Sequence, residues 1–266
     1  ADRIEYISVD KKHEDSAKTK SLDLSQSEQT IAFIKEFKPD VLVHCGTHSA
    51  MAYKNNFLVS FREDTNVLEN IIVALKLFPK CRLVFFSSSY IYSGMPLDKS
   101  FTEDVELHPK HNFGIAKRIF EQVILRDHPA SVIFRLSSVF GPGNALHPNA
   151  VLTLAQECKD NGKLTVWGTG SRMMQYIFMK DVIEAIIVSS SIEPGIYNLG
   201  SESYVSTADS AKEIASFFEA PVTFLKDKPE GETLPHMNID KIKKVIALTP
   251  FKEGLKQYLG EIKGAQ

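Results

Sequence analysis

The sequence predicts an α/β fold in which a parallel sheet is covered by helices on both faces. Two observations predict it. Short apolar runs alternate with longer stretches whose apolar residues recur at helical spacing. At least one strand, 82–86, is apolar without interruption after Arg82, from Leu83 to Phe86, as expected of a strand buried on both faces.

The elements follow in order. Residues 3–9 read as a strand ending at Asp10. Residues 27–37 form a helix with Ile31, Ile34 and Phe37 on one face, and Pro39-Asp40 closes it. A strand at 41–45 follows. Residues 66–77 make a helix, with Val67, Ile71, Ala74 and Leu75 at helical spacing. The strand at 82–86 breaks into Ser87-Ser88-Ser89. A helix at 115–126 and a strand at 131–135 complete this half. After Gly141-Pro142-Gly143 the pattern loosens. It gives helices at 149–161, 181–189 and 206–218, and strands at 163–166, 196–199 and 221–225. Ser206 or Thr207 suits the cap of the last helix. We therefore expect a sheet domain at 1–143 and a smaller lobe at 144–266 that returns in part to the sheet.

Composition narrows the function. The chain has 266 residues, 43% hydrophobic and 24% charged, with a net charge of -2. That balance carries no nucleic-acid footprint. No apolar run approaches the ~18 residues of a membrane span. Cys45, Cys81 and Cys158 are widely spaced, which suits buried reduced thiols in a cytoplasmic protein. The eight His show no metal-ligand spacing, so no metal is expected. The opening Ala-Asp-Arg-Ile-Glu-Tyr has no signal-peptide character.

The stretch Asn112-Phe113-Gly114-Ile115-Ala116-Lys117 carries the chemistry. It has the frame of a Tyr-x-x-x-Lys helix, in which the ammonium lowers the phenol's pKa and the phenol exchanges a substrate proton. A spacing of four puts both side chains on one helix face. Here Phe113 keeps the ring and removes the proton carrier.

Further landmarks keep a fixed order. They are Asp10, Asp23-Leu24, Val43-His44-Cys45-Gly46, the run from Phe86 to Tyr92, and Arg135 through Gly143. Gly168-Thr169-Gly170-Ser171-Arg172, the Tyr176 strand, Asp181-Val182 and Tyr197 through Ser201 complete the series. Together they resemble the extended short-chain dehydrogenase/reductase family, in its nucleotide-sugar epimerase/dehydratase branch. The resemblance implies a Rossmann-like, doubly wound sheet with a C-terminal substrate lobe. It also implies NAD as cofactor, a nucleotide-sugar substrate and a homodimer built on two long helices. In that family a first strand and a Gly-rich turn hold the cofactor pyrophosphate. The present sequence starts at what matches the second strand, so we expect a parent chain about 30 residues longer.

The resemblance also implies roles. Asp10 would accept the adenosine ribose hydroxyls, which favours NAD. Lys11 and Lys12 behind it suit a 2′-phosphate, so NADP stays open. Asp23 and Leu24 would lie against the adenine, and Cys45, Gly46 and Thr47 in the turn beside the cofactor. Ser88, with Ser89, would bind the reacting sugar oxygen. Lys117 would hold the nicotinamide ribose. Asn144 and His147 would contact the sugar and phosphates. Arg172 would replace the diphosphate-binding arginine, whose usual place is taken by Met174. His236 is a further candidate for phosphate, whereas His48 reads as polar surface. A 4,6-dehydratase needs an Asp-Glu pair where Ser89 and Tyr90 stand, so an epimerase or ketoreductase is preferred.

Phe113 leaves three explanations open. It is an introduced Phe-for-Tyr change, or a natural variant in which Tyr90, Tyr92 or a water carries the proton. Otherwise the protein has left catalysis and serves as a dinucleotide-binding regulator or scaffold.

Overall fold

The computed structural model describes residues 4–143, 145 and 147–264. Strands β1 (Ser8–Asp10) and β2 (Thr19–Ser21) pair in parallel, and helix α1 (Ser27–Phe37) follows. Strand β3 (Val41–His44) leads to α2 (Ala50–Asn55) and the long α3 (Phe57–Leu75). Next come β4 (Arg82–Ser88), a 3-10 turn over Ser89–Tyr92, the short β5 (Ser100–Phe101) and α4 (Asn112–Asp127). Strand β6 (Val132–Leu136) completes the first half, followed by β7 (Ser138–Phe140).

The second half holds α5 (Ala150–Asn161), β8 (Leu164–Trp167), β9 (Met173–Phe178) and α6 (Met179–Val188). Strand β10 (Gly195–Leu199), β11 (Tyr204–Ser206), α7 (Thr207–Phe218) and β12 (Val222–Leu225) follow. Strand β13 (His236–Met237) and helices α8 (Asp240–Lys243) and α9 (Phe251–Gly264) end the chain.

The central sheet is parallel, in the order β10-β6-β4-β3. Its alternation explains why both faces are apolar. Leu83, Phe85 and Ile133 pack with Ile34, Leu68, Ile71, Phe120 and Ile124 of α1, α3 and α4. Val84, Val132 and Phe134 point the other way, onto Val182, Ala185, Ile242 and Ile246. This is the α/β, Rossmann-like arrangement, with all four carboxyl ends on one edge. The second half of the chain has a core of its own, in which α5, α7 and α9 pack on β8 and β9 through Leu154, Ile214, Leu255 and Leu259. Strand β10 crosses back from this half of the chain to the central sheet.

Several boundaries differ from the sequence reading. The first strand covers only Ser8–Asp10. Helix α3 starts at Phe57 rather than 66, because Asn56 caps it by accepting the Val59 N–H at 3.3 Å. Helix α9 was not anticipated. Cys81 and Cys158 are buried, but Cys45 is exposed, since it lies beyond the end of β3.

A buried polar network fixes the sheet to α4. Arg135 of β6 grips Glu121 of α4 through two hydrogen bonds of 3.0 and 2.8 Å, and also donates to the Tyr92 hydroxyl at 2.8 Å. Tyr92 in turn donates to Asn198 Oδ1 at 2.7 Å. Arg135 and Glu121 are 2% and 4% exposed, so neither charge tolerates loss of its partner.

Candidate active site

The site assembles where the strands β3 and β4 end. Lys117, on the inner face of α4, is almost wholly buried. Its ammonium donates to Thr47 Oγ1 at 2.8 Å and to the Phe86 carbonyl at 2.7 Å. Burial pushes its pKa down to about 8, against the pull of Asp64 and Glu121. The ammonium also lies 4.6 Å from the Phe85 ring centroid and 5.2 Å from that of Phe113. The structure thus brings Lys117, Thr47 and Phe113 together.

Helix α4 is held hard against the Ser89–Tyr92 turn. A Cβ on Gly114 would sit 2.1 Å from the Tyr90 carbonyl oxygen, so only glycine allows this approach. Ser88 Oγ accepts the Tyr90 N–H at 3.3 Å and so caps the turn. His111 caps α4 through Nδ1, which accepts the Phe113 N–H at 3.1 Å. That acceptor role, with burial lowering the imidazole pKa, marks a neutral ring. Around Phe113 stand Tyr53 at 5.5 Å and Tyr90 at 5.9 Å between ring centroids.

Beside this group lies a cluster the sequence did not reveal. Asp64 of α3 is 4% exposed and accepts hydrogen bonds from Tyr53 Oη at 2.8 Å and from the His48 N–H at 3.1 Å. Its other oxygen pairs with His48 Nδ1 at 2.7 Å. His48 is therefore a fastened part of the loop after β3, not loose surface. Tyr53 carries the signal that was available, since Tyr53, Phe57 and Phe61 recur every four residues.

The remaining candidates are spread more widely. Asp10 ends β1 with Oδ1 accepting the Lys12 N–H at 2.8 Å, and Lys11 is exposed beside it. Asp23 accepts the Ser25 N–H at 2.9 Å, and the Leu24 carbonyl accepts from Asn70 of α3 at 2.9 Å. Cys45 and Gly46 lie between β3 and Thr47. Ser89 opens the turn after Ser88. His147 is exposed, and Asn144 lies outside the described residues. His236 is half-buried against Tyr204 and burial lowers its pKa, which suits a neutral ring better than a phosphate-binding cation.

Arg172 stands just before β9, with Nε donating to the Glu232 carbonyl at 2.8 Å. Met174, two residues on, is core. The loop at 168–172 wraps the Glu230 carboxylate. The N–H groups of Thr169, Gly170 and Arg172 donate to it at 2.7, 3.0 and 2.7 Å. Such a nest of amides is an anion site, here filled from within the chain.

Two buried atoms bear on whether a cofactor fits. His44 Nε2 and Ser87 Oγ, near the ends of β3 and β4, have no partner among the described residues. Unsatisfied polar atoms are rare in cores, and a polar ligand at the carboxyl edge would supply partners. His44 stays neutral, its pKa pushed down to about 4 by burial and by Lys117. Among the described residues no His/Cys/Asp/Glu group is arranged to hold a metal, and no helix is long and apolar enough to cross a membrane.

Residues 2–200 match the model of the NAD dependent epimerase/dehydratase family. The chain belongs to that family. Among curated relatives, GDP-L-fucose synthase of Dictyostelium discoideum is 24% identical over 265 residues, covering 88% of this chain and 82% of the relative. Methionine adenosyltransferase 2 subunit beta of Xenopus laevis is also 24% identical, over 260 residues, covering 90% and 75%. Among solved structures, the NAD complex of UDP-glucose 4-epimerase from Thermus thermophilus superposes with a TM-score of 0.82. It is 20% identical and covers 93% of this chain and 85% of the epimerase. The structural likeness speaks for the fold alone.

Proposed function

We propose that this protein is an NAD(P)-dependent epimerase or ketoreductase acting on a nucleotide-activated sugar. One observation carries the reading. Lys117 is buried at the carboxyl edge of the sheet, tied to Thr47 and set under the ring of Phe113. Burying an ammonium is costly, and buried groups with lowered pKa cluster at functional sites.

The residues present fit part of a dinucleotide. Asp10 suits the adenosine ribose, and Thr47 and Lys117 the nicotinamide ribose. The turn that would hold the pyrophosphate is not among the described residues. When bound, the nicotinamide supplies a hydride acceptor or donor. Ser88 would then orient the sugar oxygen, and Arg172 would offer its guanidinium to a phosphate. Residues 1–143 would form the dinucleotide domain and 144–266 mainly the substrate lobe. Leu58 and Val73 of α3 and Ile119 of α4 are exposed, which supports a homodimer through these helices. Leu125, half-buried, adds less.

A second reading is a dinucleotide-binding regulatory subunit without turnover. Phe113 favours it, as does the likeness to a relative named as a subunit of another enzyme.

The test is native mass spectrometry for bound NAD or NADP, followed by a turnover screen with UDP-, GDP- and dTDP-hexoses in 4-hydroxy and 4-keto forms. Bound dinucleotide with turnover supports the enzyme. Bound dinucleotide without turnover on any member supports the regulatory reading. Absence of dinucleotide binding overturns both.

A further inference from the structure

We propose that Tyr90 carries the substrate proton in place of the phenol that Phe113 lacks. The inference rests on the enzyme reading above and names the residue that reading leaves open.

Three phenols lie around this centre, and two are committed. Tyr53 donates to the Asp64 carboxylate at 2.8 Å, and burial with that neighbouring charge raises its pKa, so its proton is held inward. Tyr92 is fully buried, with its hydroxyl between Arg135 at 2.8 Å and Asn198 at 2.7 Å. Both hydroxyls are structural. Tyr90 differs. Its hydroxyl has no hydrogen-bond partner among the described residues, and its side chain is half-buried rather than sealed.

Its placement is also fixed. The Tyr90 ring meets Phe113 edge-on, at 5.9 Å and 72°, and lies 4.4 Å from the His111 ring. Its backbone is pinned by the Ser88 hydroxyl on one side and by the close approach of Gly114 on the other. The phenol thus stands one ring away from the position of Phe113, in the same turn as Ser88. Arg172 and Glu232 are the charges that act on it. Burial raises its pKa while Arg172 lowers it, and the net rise keeps the proton on at neutral pH. A group that keeps its proton suits the donor's part.

When bound, a reduced nicotinamide would supply hydride to the carbonyl carbon of a 4-keto sugar. The carbonyl π pair moves onto oxygen, which takes the Tyr90 proton, and the phenolate is reprotonated from water. Ketone, reduced nicotinamide and one proton become alcohol and oxidised nicotinamide.

Two experiments test it. The first compares wild type, Tyr90→Phe and Tyr90→Phe/Phe113→Tyr on the 4-keto hexose panel, with NAD affinity followed in parallel. The expected result is a kcat at least ~100-fold lower in Tyr90→Phe, unchanged NAD affinity, and recovery in the double variant. The second maps nitration by tetranitromethane in the cofactor-free protein, with and without UDP-, GDP- or dTDP-hexoses. Tyr90 is expected to be modified and to be shielded by the accepted sugar nucleotide, with Tyr53 and Tyr92 inert. Turnover equal in wild type and Tyr90→Phe overturns the proposal while leaving the enzyme reading intact. NAD binding with no wild-type turnover overturns both. If Tyr90→Phe misfolds, nitration decides, and a Tyr90 that resists the reagent or is shielded by no sugar nucleotide sinks the assignment.

Discussion

The Lys117 ammonium lies 5.2 Å from the centroid of the Phe113 ring, on the same face of α4. A hydroxyl added to that ring would enter the field of a buried cation, which favours the phenolate. In the Tyr90→Phe background, Phe113→Tyr is therefore expected to raise turnover at least ~100-fold on the accepted sugar nucleotide, the range of a placed general acid-base. Steady-state kinetics at saturating cofactor checks it. Unaltered kcat would show that Lys117 is not poised to serve a phenol at this position.

Gly114 tests the seat of the same helix. The methyl group of Gly114→Ala would meet the Tyr90 carbonyl oxygen at 2.1 Å, which is backbone and cannot swing aside. Either α4 or the Ser89–Tyr92 turn must shift. Overpacking of this kind costs about 1–3 kcal/mol, a 2.1 Å contact with backbone belongs at the upper end, and helix propensity returns about 1 kcal/mol of it. We expect a lower urea midpoint and weaker shielding of Tyr90 by sugar nucleotides. A variant as stable as wild type would mean that the turn yields freely.

The parts of this fold that were legible in the sequence are those in which one local pattern decides the outcome. Helix α1 was found to the residue, because Ile31 and Ile34 repeat at helical spacing and Pro39 stops the helix. The continuous apolar run of β4 likewise marked a strand buried on both faces. Helix α9 was missed although Phe251, Leu255, Tyr258 and Leu259 carry the period, because Gly254 and Gly260 weaken the pattern. The Phe113 and Lys117 pairing was readable because four residues on a helix fix a face. The Asp64 and His48 pair was not, since sixteen residues and a loop separate them. The Glu230 contact with Arg172, across 58 residues, depends wholly on tertiary folding.

That Glu230 contact has a measurable consequence. Burial raises the carboxyl's pKa, but the N–H groups of Arg172 and Thr169 and the Thr169 hydroxyl outweigh it and hold it at about 2. At neutral pH the group is an anion fastening residues 168–172 to the loop that follows β12. Charge-assisted hydrogen bonds contribute about 1.5–3 kcal/mol. In Glu230→Ala the amides of Thr169, Gly170 and Arg172 should therefore exchange at least about tenfold faster, with exchange elsewhere unchanged. Equal exchange rates would show that the loop is held by other contacts.

Lys117 supplies a prediction whose sign can be worked out. Its folded pKa is about 8, below the ordinary lysine value of 10.5. Below pH 8 the ammonium is charged in both states, and the folded state bears the full cost of burying it. Between about pH 8 and 10.5 the unfolded chain binds more protons than the native one, so stability rises with pH. Lys117→Met removes this titration and leaves the other groups in place. The urea midpoint of wild type should then climb relative to Lys117→Met as the pH goes from 7 to 10, most steeply above 8. The comparison must be made without cofactor, because a ligand that grips the ammonium would hold the proton on. Parallel midpoints across that range would mean that water reaches Lys117 and that the buried charge is not the feature marking this site.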